Sequence, residues 1–176
     1  MIAKPGVQEK ILLHLLDYAD FKEKVEVPFS LSQMGIANAV AIARSNVPRA
    51  ISGLRDQGLL VERQAHVHGV SRKRKAYFLT DSGIISAEET WERLRLFQFR
   101  CIGTDGDALT TTLGSAHEVL PFAMRPVDII RYLDDNLILD VRPLTEDLIE
   151  RDLSKQVEKQ LVTSLGDLPR LRHFYG

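Results

Sequence analysis

Four consecutive cations, Arg72-Lys73-Arg74-Lys75, are the residues whose types and spacing most invite chemistry in this sequence. Held together on a short turn they repel one another, and a polyanion such as a phosphate backbone relieves that repulsion. They do not stand alone. From Arg44 to Lys75 the chain carries eight Lys/Arg against two acids, a local charge of +6, although its formal net charge is −1. The remainder is therefore acidic, an asymmetry expected of a basic binding face on a body that turns polyanions toward it.

A second group lies just upstream. Val47, Ala50, Ile51 and Leu54 recur at i, i+3, i+4 and i+7, so they define the packed face of a helix spanning Ser45 to Gln57. At about 100° per residue the opposite face presents Arg49, Ser52 and Asp56, with Asn46 and Gly53 on its margin. Ser45 is placed as the N-cap, Pro48 in the first turn and Gly58 as the stop. Arg can grip guanine O6 and N7, and Asn can pair with adenine N6 and N7, so Ser45, Asn46, Arg49 and Ser52 are candidate base-reading residues.

The elements that must hold these groups follow from the same patterning. Val7, Ile11, Leu12, Leu15, Leu16 and Ala19 predict a first helix, and Val25 to Phe29 a short edge strand. Ser30 or Ser32 caps a second helix through Val40, and Ala41 to Arg44 makes a turn. After the third helix, strands Leu59–Val67 and Ala76–Thr80 flank His68 to Lys75, a hairpin with a basic tip. Thr80 or Asp81 caps a fourth helix running past Trp91 toward Phe97. Beyond Arg100 the chain turns acidic. Phe99–Ile102 and Leu109–Leu113 flank an Asp-Gly turn and predict a hairpin, followed by helical segments at Ser115–Leu120, Val127–Leu133 and Glu146–Thr163. The expected fold class is α+β, with a domain over residues 1–100 that ends in a linker helix and a small acidic α+β domain over 101–176, whose role the sequence leaves open between dimerisation, effector binding and interdomain contact.

With 44% hydrophobic and 27% charged residues the chain is expected to fold rather than stay disordered. A single cysteine, Cys101, excludes an internal disulfide and a cysteine-based zinc site. No apolar run reaches the roughly 20 residues that span a bilayer, and the N-terminus lacks the pattern of a secretory signal. A cytoplasmic protein without membrane contact is expected. His66 and His68 lack a third ligand nearby, so no metal is assigned. His14 and His117 are read as structural, and Asp105 and Asp107 as turn residues. No arrangement of nucleophile, base and acid is identifiable, so neither an enzyme nor a cofactor is expected.

The runs Ser45-Asn46-Val47-Pro48-Arg49-Ala50-Ile51-Ser52-Gly53-Leu54, Gly58-Leu59-Leu60-Val61 and Arg74-Lys75-Ala76-Tyr77-Phe78-Leu79-Thr80-Asp81-Ser82-Gly83 resemble the winged helix-turn-helix regulators of the MarR-like group. The resemblance covers about half the chain. It implies a recognition helix at 45–57 and a wing at 66–75, with Arg72, Lys73, Arg74 and Lys75 on the backbone or minor groove of double-stranded DNA. A homodimer is expected because a single recognition helix covers few base pairs. At the other end, Leu168-Pro169-Arg170-Leu171-Arg172-His173-Phe174-Tyr175-Gly176 resembles the leader of a P-loop ATPase domain in some archaeal regulators. No P-loop motif occurs in the sequence, so the chain is expected to be the N-terminal part of a longer regulator. The competing expectation is an adaptor module, the regulatory arm of a larger ATPase, whose basic hairpin is covered by Asp134, Asp135 or Asp140.

Overall fold

A computed structural model describes residues 1–145 and Leu148. The expected helix at Glu146–Thr163 and the leader-like segment at Leu168–Gly176 lie outside the described residues.

The chain runs α1 (Val7–Leu16), β1 (Glu26–Val27), α2 (Gln33–Val40), α3 (Val47–Asp56), β2 (Leu60–Val67), β3 (Arg74–Leu79) and α4 (Asp81–Leu94), then β4 (Gln98–Ile102), β5 (Ala108–Thr112), α5 (Pro126–Tyr132) and β6 (Ile138–Asp140). It is a mixed α+β fold with two three-stranded sheets, ordered β1-β2-β3 and β5-β4-β6. In each, the hairpin is antiparallel and the third strand is parallel to the central one.

Local chemistry explains most boundaries. Ser32 caps α2 by accepting from the Gly35 N–H at 3.1 Å, and Thr80 caps α4 by accepting from Gly83 N–H at 3.0 Å. Gly58, at φ +73°, ends α3 by taking the left-handed conformation that closes its last turn. Ser45 is not the cap of α3. The chain enters through a 3-10 turn at Arg44–Asn46, and Asn46 occupies the cap position without a side-chain bond.

Three further expectations shift. Arg74 and Lys75 belong to β3, paired with Ala65 and Gln64, so the turn of this hairpin is His68 to Lys73. Strand alternation tolerates long cations on an exposed edge, which the charge run concealed. Helix α4 stops at Leu94 because the chain must turn to bring Phe97 and Phe99 into a core. Ser115–Leu120 forms only a 3-10 turn at Ala116–Glu118. Strand β6, which no pattern in the sequence announces, pairs in parallel with β4.

Two apolar clusters form. One gathers Ile11, Leu12, Leu15 and Leu16 with Ile36, Val47, Ile51, Leu54 and Phe78; the other gathers Trp91, Leu94, Phe97, Phe99, Ile129 and Leu139. Helix α1 serves both, since its Leu13 belongs to the second cluster. Residue 100, the expected domain boundary, therefore falls inside β4 and not between the clusters.

Beside the apolar contact of Leu13, α1 and the start of α5 share a buried polar one. Arg125 donates to the Asp128 carboxylate at 3.1 and 3.3 Å and to His14 Nδ1 at 3.1 Å. A guanidinium has no acceptor. Nδ1 must therefore be the accepting nitrogen, which leaves the proton on Nε2 to be donated to Ser30 O at 2.8 Å. Burial, and then the Arg125 charge, hold the imidazole neutral and push its pKa down to about 3. Tyr18 alongside is pushed up to about 12 by burial. No helix among the described residues is long and apolar enough to cross a membrane.

Candidate nucleic-acid interface

Helix α3 rests on the first cluster through Val47, Ile51 and Leu54, each at most 2% exposed. That anchoring fixes its rotation as the apolar spacing requires. Arg49 and Asp56 are then exposed, whereas Ser52 is half-buried and less accessible than its helical phase suggests. Ser45 and Asn46 are exposed at the leading end. Because the chain enters α3 through a 3-10 turn, neither side chain is used as a cap.

The eight cations of the basic segment divide into two groups. Arg63 is structural: it donates to the carbonyls of Lys22 at 2.8 Å and Lys24 at 2.6 Å, and its guanidinium lies 4.3 Å from the centre of the Phe78 ring. Arg55 and Lys75 share Glu62, at 3.2 and 3.4 Å. Among the described residues no ion pair involves Arg44, Arg49, Arg72, Lys73 or Arg74, and all five are exposed. These five carry the charge that a ligand could meet.

A groove of about 370 Å³ lies between Arg44 and the hairpin. Arg44, just before α3, lines it together with Lys73, Arg74 and Lys75 of the hairpin, over a floor that includes Phe29, Met34 and Val70. Arg44 was legible as part of the basic segment but not as a site residue, because only the fold brings it opposite the hairpin. Arg72 lies next to the groove in sequence without lining it.

Two of the acids expected to cover the hairpin, Asp140 and Asp134, are engaged elsewhere, and no ion pair among the described residues joins Asp135 to the hairpin. Asp140 pairs with Arg142 at 2.7 Å, and this contact draws its carboxyl below the usual range. Asp134 accepts from the backbone of Asn136 and Ile138, both at 2.8 Å. His68 meets Glu26 at 2.9 Å, and among the described residues no three His, Cys, Asp or Glu are placed to hold a metal ion. Cys101 is buried, and burial pushes its thiol up and away from reactivity. No family model, curated protein or solved structure matches this chain.

Proposed function

We propose that this chain is a winged helix-turn-helix regulator, MarR-like in its motifs, that binds double-stranded DNA sequence-specifically as a cytoplasmic homodimer. The observation that carries the reading is the groove shared by Arg44, on the turn that leads into α3, and by Lys73, Arg74 and Lys75 of the hairpin, together with the exposed Ser45, Asn46 and Arg49 at the front of α3. Helix α3 takes the role of recognition helix, with Ser45, Asn46 and Arg49 toward base edges and Ser52 at the periphery. The β2–β3 hairpin is the wing, setting Arg72, Lys73 and Arg74 on phosphates, while Lys75 contributes after leaving Glu62.

Two copies are needed because one recognition helix covers few base pairs, and a two-fold pair reads a palindromic site. Selection of bound duplexes from a random pool tests the reading. The expected result is one enriched sequence with two related half-sites, relaxed at one position per half-site in Arg49→Ala. A pool that emerges without enrichment overturns it.

A further inference from the structure

Of the four outer strands that the two sheets have among the described residues, three are protected against pairing with another chain. Strand β1 is two residues long and runs into Pro28, and β3 carries Arg74 and Lys75. Strand β6 is three residues long, holds the Asp140–Arg142 ion pair at its end and is followed by Pro143. Short length, charge and proline are the usual devices that stop edges from templating association. Strand β5, Ala108-Leu109-Thr110-Thr111-Thr112, has none of them. It is five uncharged residues ending in three β-prone threonines, and Ala108, Leu109 and Thr110 are exposed.

The register shows which backbone groups this edge offers. Gly103 N–H donates to Asp107 O at 2.9 Å and Leu113 N–H to Phe97 O at 3.0 Å. These bonds bracket the hairpin and fix its parity, so Leu109 and Thr111 turn their backbone groups toward β4. Ala108, Thr110 and Thr112 turn theirs outward. Thr112 O accepts from Ser115 N–H at 3.2 Å; the outward groups of Ala108 and Thr110 pair with no described backbone group.

We infer that β5 is the edge through which two copies of this chain join, antiparallel, into one continuous six-stranded sheet. A two-fold axis at Thr110 sets Thr110 opposite its counterpart and Ala108 opposite Thr112 of the partner subunit, matching every outward donor with an acceptor, the Thr112 carbonyl taking the Ala108 N–H as its second bond. The strand is self-complementary in this arrangement because it carries no charge to repel its copy. Thr–Thr is a favourable cross-strand pair. On the other face Leu109, an apolar side chain left 42% exposed, gains cover beside the partner's Thr111. A foreign strand could use the same hydrogen bonds, but only a second copy satisfies the symmetry at Thr110.

The inference deepens the two-copy part of the proposed function and rests on that part alone. Light scattering on the DNA-free protein tests it, so a failure of duplex binding leaves the result standing, and the reverse holds. The wild-type chain should have twice the 19.9 kDa mass of one copy. Thr110→Lys and Thr110→Glu set like charges face to face across the axis and should each give single copies. An equal mixture of the two should return to the doubled mass, which simple damage to the fold would not allow. Thr110→Pro removes the outward N–H without adding charge and should also give single copies, so it decides the matter if the charged variants lose their circular dichroism. A single-copy wild type, a doubled mass that survives the folded variants, or a mixture that stays dissociated overturns the inference.

Discussion

Arg49 and Arg63 lie in the same basic segment and do opposite work. Arg63 is spent on three backbone carbonyls and the Phe78 ring, while Arg49 stands exposed on α3 with no ion pair among the described residues. Under the proposed function, Arg49→Ala should weaken binding of the selected duplex by about 1–3 kcal/mol and relax one base position. Arg63→Ala should leave specificity intact and lower the folding midpoint in urea; equal loss of base preference in both variants would contradict the division. The apolar spacing of Val47, Ile51 and Leu54 made Arg49 legible in the sequence. The fate of Arg63 was not legible, because its acceptors at Phe21, Lys22 and Lys24 are about forty residues away. His14 makes a prediction of its own. Its folded pKa, about 3, lies below the ordinary value of 6.5, so between these values the unfolded chain binds the extra proton. Its stability contribution is complete above pH 6.5 and declines as pH falls, by up to about 1.4 kcal/mol per pH unit. Urea unfolding at pH 7 and pH 5 should show a smaller loss in His14→Gln than in wild type; identical losses would remove His14 as the cause.

Helices α2 and α4 are held to their neighbours by two glycines. A Cβ on Gly35 would run into Phe29 O and come within 2.7 Å of Ser30 Cα, and one on Gly83 would run into Leu59 O. Backbone on both sides cannot yield as a side-chain tip would, so Gly35→Ala and Gly83→Ala should each destabilise the fold despite alanine's better helix propensity. Thermal melts would check this, and a raised Tm in either variant would show the contact to be relieved cheaply. Loss of the α2 cap in Ser32→Ala should remove about 1 kcal/mol, within the range for such caps. Elements with internal signals were readable from the sequence: apolar phase and the Gly58 stop for α3, and the Asp-Gly turn for β4–β5. Strand β6 was not, since its three residues acquire strand geometry only by pairing with β4, some forty positions upstream. The β2–β3 hairpin was read with too long a turn because Arg74 and Lys75 look like loop residues until the ladder places them on an exposed edge.

Across the whole molecule, α1 joins the two cores, and Arg125 reaches 111 residues back along the chain to His14. No periodicity encodes such a contact; it exists only after both units have formed. Removing one member of a buried charged pair is strongly destabilising, about 3–5 kcal/mol, so Arg125→Ala should lower stability by that order and disturb both clusters together. A variant that unfolds in two well-separated steps, with the α3 unit unaffected, would show the junction to be passive. The charge distribution also acts at this scale. An acidic body whose five cations without an ion pair among the described residues stand on α3, its entry turn and the hairpin should orient on a polyanion before contact. The most direct test is the affinity of a labelled duplex across a salt series, for wild type and for a variant with Arg44, Arg72, Lys73 and Arg74 changed to Ala. The account predicts a linear fall of log affinity with log salt, and a slope that flattens by about 0.9 for each phosphate contact removed. Affinity indifferent to salt, or a slope unchanged in the variant, would contradict it.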